Sequence, residues 1–194
     1  SDWNFSYDFN VNYKLAPDVL AYATYAKSFK TVGINQNGLP LDTNNQPVLS
    51  ASTVKPEGVN HYEVGIKTQF LDRMATFNLT AYRTDIKNFQ ATVNGGQFGT
   101  VRGFLANAEK VRTQGIEADL KFRTSDRFSA YANAAYTDAK YEKFLSAPCP
   151  PEMSGGTFVP VGGTPGPVGV PGSLSPRACD ISGQNLPGVS KWAF

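Results

Sequence analysis

The chain has little charge, a single histidine and only two cysteines among its 194 residues. Charged residues make up 18% of it, against roughly 25% in a typical globular domain, whereas aromatic residues reach 12%. The net charge of +2 and the lack of a basic run argue against a nucleic-acid partner. Uncharged polar residues fill the difference, and this mixture suits a wall with one apolar face and one wet face.

Long apolar segments are also missing from the sequence. No run approaches the roughly 18 residues that a membrane helix requires, so a membrane could be crossed only by strands. The sequence starts at Ser1 without an initiator Met or a signal peptide, and a targeting segment would have been removed upstream. We therefore expect the chain to be part of a longer exported protein.

Both cysteines, Cys149 and Cys179, lie in one segment rich in glycine and proline. No histidine lies near them, so they make a poor zinc site. A structural disulfide between them is predicted, as is common in the periplasm or at the cell surface. Free thiols or a metal remain alternatives.

Strict alternation of apolar and polar residues is the main structural signal. Residues 4–14 place Phe5, Tyr7, Phe9, Val11 and Tyr13 on one face and polar residues on the other. The same pattern returns at 61–70 and 116–123, and at 75–82 and 128–137 with smaller residues. Segment 19–29 is strand-like, but its facing is ambiguous. Six strands are predicted, and a seventh begins near Lys191-Trp192-Ala193-Phe194.

The connections between these strands alternate between short and long. Tight turns are predicted at 15–18, 71–73 and 124–126, and long loops at about 30–60, 88–104 and 143–188. In an antiparallel meander all short turns then share one end, which is the asymmetry of outer-membrane barrels. We therefore predict an all-β fold, an antiparallel transmembrane β-barrel that this chain cannot close alone. An aromatic girdle is expected at the short turns, made of Tyr13, Phe70, Phe122 and Phe128.

Four motifs, in order along the chain, resemble the barrel of TonB-dependent outer-membrane receptors. Residues 23–30 read ATYAKSFK, similar to the family's "YAKGFK" with Ser28 in place of glycine, and residues 62–67 read YEVGIK, similar to "YE-x-G-x-K". Residues 106–119 contain NAE followed by QGIEAD, similar to "N-A … G-x-E". Residues 136–141 read YTDAKY, similar to "Y-T-D-A-x-Y". The resemblance covers essentially the whole chain.

This resemblance implies the C-terminal part of a 22-stranded barrel in the Gram-negative outer membrane. The family imports a scarce nutrient (a ferric siderophore, cobalamin or an oligosaccharide), and a ferric siderophore is expected here. It also implies outer-membrane lipid around the barrel and contact with TonB through a plug domain that this chain does not contain. Phe194 resembles a terminal aromatic of barrels, but on family grounds we interpret it as lying within a strand.

The candidate functional residues all have a plainer structural interpretation. Glu63, Glu117 and Asp119 are predicted to line a wet lumen, and acid/base pairs or plug anchors are the alternatives. His61 has no neighbouring nucleophile or second ligand, so a polar structural position is favoured. No catalytic grouping, phosphate loop, metal site or cofactor site is recognisable, and we do not expect an enzyme.

Loop 30–60 is rich in amides that could bind a polar ligand or simply support solvated turns: Asn35, Gln36, Asn37, Asn44, Asn45 and Gln46. The individual ligand-binding residues stay undetermined. Two other functions remain as alternatives to import. One is an unplugged structural or adhesive barrel, and the other is a soluble secreted β-sandwich that binds carbohydrate.

Overall fold

The computed structural model describes residues 3–36, 38–39, 46–97, 100–125, 127–147 and 179–194. Within them the chain is almost entirely extended, and none of the described helices is long and apolar enough to span a membrane. The strands are β1 Tyr7–Ala16, β2 Val19–Lys30, β3 Gly33–Ile34, β4 Thr53–Val54, β5 Glu57–Phe70, β6 Ala75–Gln97, β7 Thr100–Ser125, β8 Phe128–Lys143 and β9 Trp192–Ala193.

One sheet of seven strands forms the wall, in the order β1-β2-β5-β6-β7-β8-β9, and all neighbours are antiparallel. Six of these strands are long. The seventh is only the pair Trp192–Ala193, which lies opposite Tyr136 and Ala135. The prediction of six strands and the start of a seventh is therefore confirmed. The sheet is an open section of barrel wall.

The sheet has an apolar face that is exposed along its whole width. Val11, Val64 and Ile116 are each about half exposed, and the cross-strand register places them in one row. The same register settles the ambiguous facing of β2, because Ala21, Ala23 and Tyr25 lie opposite residues of this row and its neighbours. No second sheet covers this face within the described part of the chain, as a soluble sandwich would require.

The apolar face is close in height to the apolar band of an outer-membrane barrel. From Tyr62 to Phe70, β5 covers roughly 27 Å at about 3.4 Å per residue. A strand tilt of about 40° reduces this to roughly 20 Å, close to the roughly 25 Å apolar band of such barrels. The expected girdle residues Tyr13, Phe70 and Phe128 are exposed beside the short turns. The apolar face thus has the dimensions and the aromatic border of a lipid-facing surface.

The short turns lie at one edge of the sheet, here called the short-turn edge. The turn after β5 holds Leu71, Asp72 and Arg73 at φ of 55°, 52° and 65°, a left-handed run that reverses the chain within four residues. Arg73 Nε donates to Asp18 Oδ1 of the neighbouring turn at 3.2 Å. The turns predicted at 15–18 and 71–73 are confirmed, and Asp126 of the third lies outside the described residues.

The loop predicted at about 88–104 differs in the structure. β6 continues to Gln97 and β7 begins at Thr100, so most of this segment is a paired strand extension beyond the apolar face. The segment contains asparagines and glycines, which have low strand propensity. Continuous pairing with a partner strand outweighs these weak local preferences. We call this part of β6 and β7, residues 89–97 and 100–108, the hairpin extension.

Two other segments pack against opposite faces of the hairpin extension. The connection between β2 and β5, predicted as part of a long loop at 30–60, contains the small sheet β3–β4 and a 3-10 turn at Leu49–Ser52. Of the loop predicted at 143–188, the described residues 144–147 and 179–186 form an apolar cluster with the extension. Cys149 lies outside the described residues.

Candidate functional site: the polar face of the wall

The second face of the sheet, here the polar face, collects the titratable residues singled out from the sequence. The register runs one row through Glu63, Tyr82 and Gly115, and the next through Gly65, Thr80 and Glu117. Asp119 follows in the row of Lys67 and Asn78. Strand alternation puts all of these side chains on one side of the sheet, as predicted.

Glu117 and Asp119 are exposed and take part in no ion pair within the described ranges. A general acid or base needs a positioned hydrogen-bonding partner for proton transfer. Neither carboxylate forms a side-chain hydrogen bond within the part of the chain that the structure describes. Their arrangement is that of a wet, charged lining.

His61 is held by its neighbours on the polar face. Its Nδ1 lies 2.8 Å from Thr84 Oγ1, and its Nε2 lies 3.4 Å from Glu63 Oε2. The ring also stacks near Tyr82, with centroids 6.5 Å apart. Both ring nitrogens are thus occupied, which agrees with a structural histidine. The described residues hold no group of three His, Cys, Asp or Glu side chains placed to bind a metal ion.

A tyrosine on the polar face reaches across a glycine to a threonine two strands away. Tyr22, Gly65 and Thr80 lie in one cross-strand row. The tyrosine ring occupies the space above the glycine, where an added Cβ would lie 2.7 Å from Tyr22 Oη. The Tyr22 hydroxyl then shares a hydrogen bond with Thr80 Oγ1 at 2.9 Å. Glycine permits this close approach because it has no side chain.

The same arrangement recurs one hairpin further along the sheet. Tyr82, Gly115 and Thr137 form a row, and the two hydroxyls are 3.1 Å apart. A Cβ on Gly115 would lie 2.8 Å from Tyr82 Oη and closer still to the Tyr136 carbonyl. We call these two sets the Tyr-Gly-Thr braces. They fix the strands of the wall to one another on its wet face.

Amide side chains fasten the connection 31–56 to the hairpin extension. Gln90 is buried, and its Nε2 donates to Thr31 O at 2.7 Å and to Lys55 O at 3.2 Å. Asn107 donates to Lys55 O at 3.0 Å and accepts from Lys55 N at 2.7 Å. Alternation could not single these residues out, because their partners are backbone groups far along the chain.

Asn35, a candidate ligand residue, has a structural role in the same contact. Its Nδ2 donates to Leu105 O at 3.0 Å and to Ala51 O at 2.8 Å, and its Oδ1 accepts from Leu105 N at 2.6 Å. Both amide N–H groups and one acceptor position of Asn35 are therefore used by backbone groups. Asn37, Asn44 and Asn45 lie outside the described residues.

Glu57 is the buried carboxylate of this region, with 7% of its surface exposed. One oxygen accepts a hydrogen bond from Gln90 N at 2.7 Å and lies 3.4 Å from Lys30 Nζ. A buried charge is tolerated when it is paired and hydrogen-bonded. Glu57 thus joins the start of β5 to the hairpin extension.

The apolar face changes to a charged surface above Tyr62. Asp85 Oδ2 accepts from Arg83 Nε at 2.9 Å, and Asp85 Oδ1 accepts from Arg112 Nε at 2.9 Å. Burial raises the pKa of Asp85, but these two hydrogen bonds outweigh it and hold that pKa below its ordinary value. Arg112 also pairs with Glu142 at 3.0 Å. The alternating segments predicted at 75–82 and 116–123 end at this level, but alternation did not show that the strands continue beyond it as a charged surface.

The family described as "TonB dependent receptor-like, beta-barrel" matches residues 1–194. The structure agrees with this match, because outer-membrane β-barrels have antiparallel walls with one apolar face, one polar face and short turns at one edge. The chain belongs to the TonB-dependent receptor β-barrel family, whose members are transporters of the Gram-negative outer membrane.

Two relatives match about 70% of the chain. One, from Acinetobacter baumannii, is named "Probable TonB-dependent siderophore receptor PiuA" and is 24% identical over 142 residues, covering 71% of this chain and 17% of that protein. The other, from Bordetella pertussis, is named "Probable TonB-dependent receptor BfrD" and is 27% identical over 136 residues, covering 70% of this chain and 17% of that protein. The chain thus spans about a sixth of the length of these relatives.

Among solved structures, the ferric-catecholate import receptor Fiu from E. coli K12 is similar to 70% of this chain. The TM-score is 0.48, the identity is 22%, and 18% of that structure is covered.

Proposed function

We propose that this chain forms part of the barrel wall of an outer-membrane receptor that imports a ferric siderophore with energy relayed by TonB. The observation that carries the proposal is the division of one sheet into an exposed apolar face and a polar face. Such a wall suits lipid on one side and a wet transport path on the other. The siderophore as substrate is supported by the name of the Acinetobacter relative.

The polar face also suits contact with a plug domain. Glu117 and Asp119 are unpaired within the described ranges and lie toward the short-turn edge, with Lys121 beside them. A polar domain inside the barrel could form hydrogen bonds and ion pairs with this lining while leaving water around it. Glu117 and Asp119 are the plug contacts that we propose.

Uptake of radioactive ferric siderophore by the full-length receptor tests this function. The receptor would be expressed in an iron-starved strain that lacks its own siderophore receptors. We expect accumulation that disappears when TonB is deleted. Parallel assays use labelled cobalamin and a labelled oligosaccharide.

Each outcome of these assays has a definite meaning. TonB-dependent uptake of cobalamin or oligosaccharide alone would keep the receptor function and refute the siderophore. Absence of uptake of all three would favour the unplugged structural or adhesive barrel.

A further inference from the structure

The polar face carries a shallow cleft at the short-turn edge, here called the basic cleft. It has a volume of about 320 Å³ and extends from the turn after β5 across β7 to the start of β8. The register pairs Lys121 with Thr76 and Tyr131, and it pairs Arg123 with Ser129. These side chains lie on the same side of the sheet as Glu117 and Asp119. The polar residues that line the cleft are Arg73, Thr76, Lys121, Arg123, Ser129 and Tyr131.

Charges on the polar face are sorted by their distance from the short turns. One group of cations lies within four residues of the short-turn end of the strands: Lys14, Lys67, Lys121 and Arg123. A group of carboxylates, here called the acidic belt, lies six to eight residues from that end: Asp8, Glu63, Glu117 and Asp119. The basic cleft is therefore nearer to the short-turn edge than the acidic belt is.

The wall itself supplies little negative charge to the basic cleft. Arg73 Nε lies 3.2 Å from Asp18 Oδ1, and both side chains of this pair are exposed. Lys121 forms no ion pair among the described residues, although Asp119 lies two residues away on the same face. Lys121 and Arg123 are both exposed. Because neighbouring cations repel one another, an anionic group that enters the cleft is attracted by all of them.

The position of the basic cleft indicates where such an anionic group comes from. Lipid phosphates do not reach it, because the polar face is the side of the sheet away from the lipid. A negatively charged imported ligand would first have to pass the acidic belt, whose carboxylates repel it. A domain that fills the lumen needs no such passage, and it can present carboxylates to the cleft and cations to the acidic belt.

We propose that the basic cleft binds an acidic segment of the plug domain, whose carboxylates contact Arg73, Lys121 and Arg123. This inference rests on the proposed function, in which a plug fills the lumen, but it does not depend on which nutrient is imported. The chain spans about a sixth of the length of its relatives, which leaves room for such a domain in the full-length receptor. The plug then carries negative charge near the short-turn edge and positive charge at the level of the acidic belt.

Cross-linking of the full-length receptor with a water-soluble carbodiimide tests this contact. The reagent joins a carboxylate to a lysine amine that touches it, with loss of water and no added spacer. Peptide mapping should find Lys121 joined to an Asp or Glu of the plug, outside residues 1–194. Lys27, which is exposed on the apolar side of the sheet, is the internal control and should not be joined to the plug. Lys121 that stays unlinked, or is linked only to the wall or to another protein, would overturn the proposal.

A second measurement follows how firmly the plug is held. Protease should cleave the plug of R73Q/K121Q/R123Q roughly tenfold faster than that of the wild type, at about twofold for each ion pair lost. The matched control K27Q/K87Q/K143Q makes the same change in charge on the apolar side of the sheet and should be cleaved at the wild-type rate. Equal cleavage rates in the two triple variants would contradict the role of the cleft.

The salt dependence of the wild type keeps the test valid even if the triple variant does not fold. Raising the salt concentration screens ion pairs, so cleavage of the wild-type plug should become faster. A rate that salt leaves unchanged would overturn the proposal. TonB-dependent uptake without a cross-link from Lys121 to the plug would refute the cleft contact alone, whereas a cross-linked receptor that takes up no siderophore would refute only the proposed substrate.

Discussion

At the scale of single residues, glycine positions decide how the polar face packs. Gly65 and Gly58 lie on the same strand, but only Gly65 lies beneath a ring. A Cβ at Gly65 would collide with Tyr22, whereas a Cβ at Gly58 would meet nothing within 4 Å. Comparing alanine substitutions at these two glycines therefore distinguishes the loss of packing against Tyr22 from the general effect of replacing glycine by alanine in a strand.

We expect G65A to destabilise the receptor by about 1–3 kcal/mol, because the ring of Tyr22 must leave its place and its bond to Thr80 breaks. G58A should change the stability by less than about 0.5 kcal/mol. Thermal unfolding of the full-length receptor, followed by the loss of its heat-sensitive gel mobility, measures both. Equal effects of the two substitutions would show that the brace has no energetic role.

Asp85 provides a second prediction, on the charged surface above the apolar face. The pKa of Asp85 is lower in the folded protein than in the unfolded chain, where it is about 3.9. The ionised carboxylate therefore stabilises the fold above about pH 3.9, and this stabilisation is lost as the pH falls through the pKa of the folded state. D85N should cost roughly 1–2 kcal/mol at neutral pH, since the carboxylate is partly exposed. The difference from wild type should shrink below about pH 4.

Melting temperatures of the wild type and D85N between pH 3 and pH 7 check this expectation. D8N is the control, because Asp8 is exposed and forms no ion pair within the described ranges. A difference that stays constant across this pH range would contradict the role given to the ionised Asp85 carboxylate.

At the scale of whole elements, the sequence predicted what depends on local periodicity. Alternation identified the six long strands and the faces of five of them, because a half-buried strand must repeat every two residues. Alternation did not decide which side chains of β2 lie on the apolar face, since alanines and tyrosines suit either face. Pairing with β5 shows that Ala21, Ala23 and Tyr25 lie there. The hairpin extension and the segments that pack against it depend on contacts between distant residues, such as Gln90 with Thr31. No local sequence pattern predicts such contacts.

The attachment of connection 31–56 can be tested through these amides. Q90A/N107A removes the side-chain bonds to Thr31 and Lys55 while leaving the strand ladder intact. We expect faster hydrogen exchange across 46–56, with little change in the exchange of β5. Q69A/N133A, which alters exposed polar-face residues of the same types, is the control.

Equal exchange across 46–56 in both double variants would contradict the role given to Gln90 and Asn107. So would protection of 46–56 that persists in Q90A/N107A, because it would mean that other contacts hold the connection in place.

The predicted disulfide involves the segment whose residues 144–147 and 179–186 form an apolar cluster with the hairpin extension. Cys179 is buried, and its backbone forms reciprocal hydrogen bonds with Ala147 at 2.8 and 3.2 Å. A disulfide between Cys149 and Cys179 would lower the entropy of the unfolded chain and so stabilise the fold by about 3–4 kcal/mol.

Peptide mapping of the full-length receptor without reductant should yield a linked pair of peptides containing these two cysteines. C149A should then lower the temperature at which residues 179–186 lose protection from proteases. Detection of both thiols in unlinked, alkylated form would refute the disulfide.

At the scale of the whole molecule, the sheet is open at both ends of its strand order. In lipid each unpaired backbone group costs several kcal/mol, so a seven-stranded section cannot cross the membrane by itself. Residues 1–194 expressed alone should fail to give a protease-resistant, heat-sensitive barrel in lipid vesicles, whereas the full-length receptor should give one. Resistant insertion of the isolated chain would mean that it closes by association of several copies.

The two Tyr-Gly-Thr braces repeat with a period of one β-hairpin. Strand β6 takes part in both braces: its Thr80 bonds to Tyr22 of the preceding hairpin, and its Tyr82, two residues further on, bonds to Thr137 of the following hairpin. The β5–β6 hairpin thus accepts a brace from one neighbour and extends one to the other. Duplication of this hairpin in the gene would add two strands that carry the same pair of contacts, so such a wall could gain circumference without new contacts between its strands.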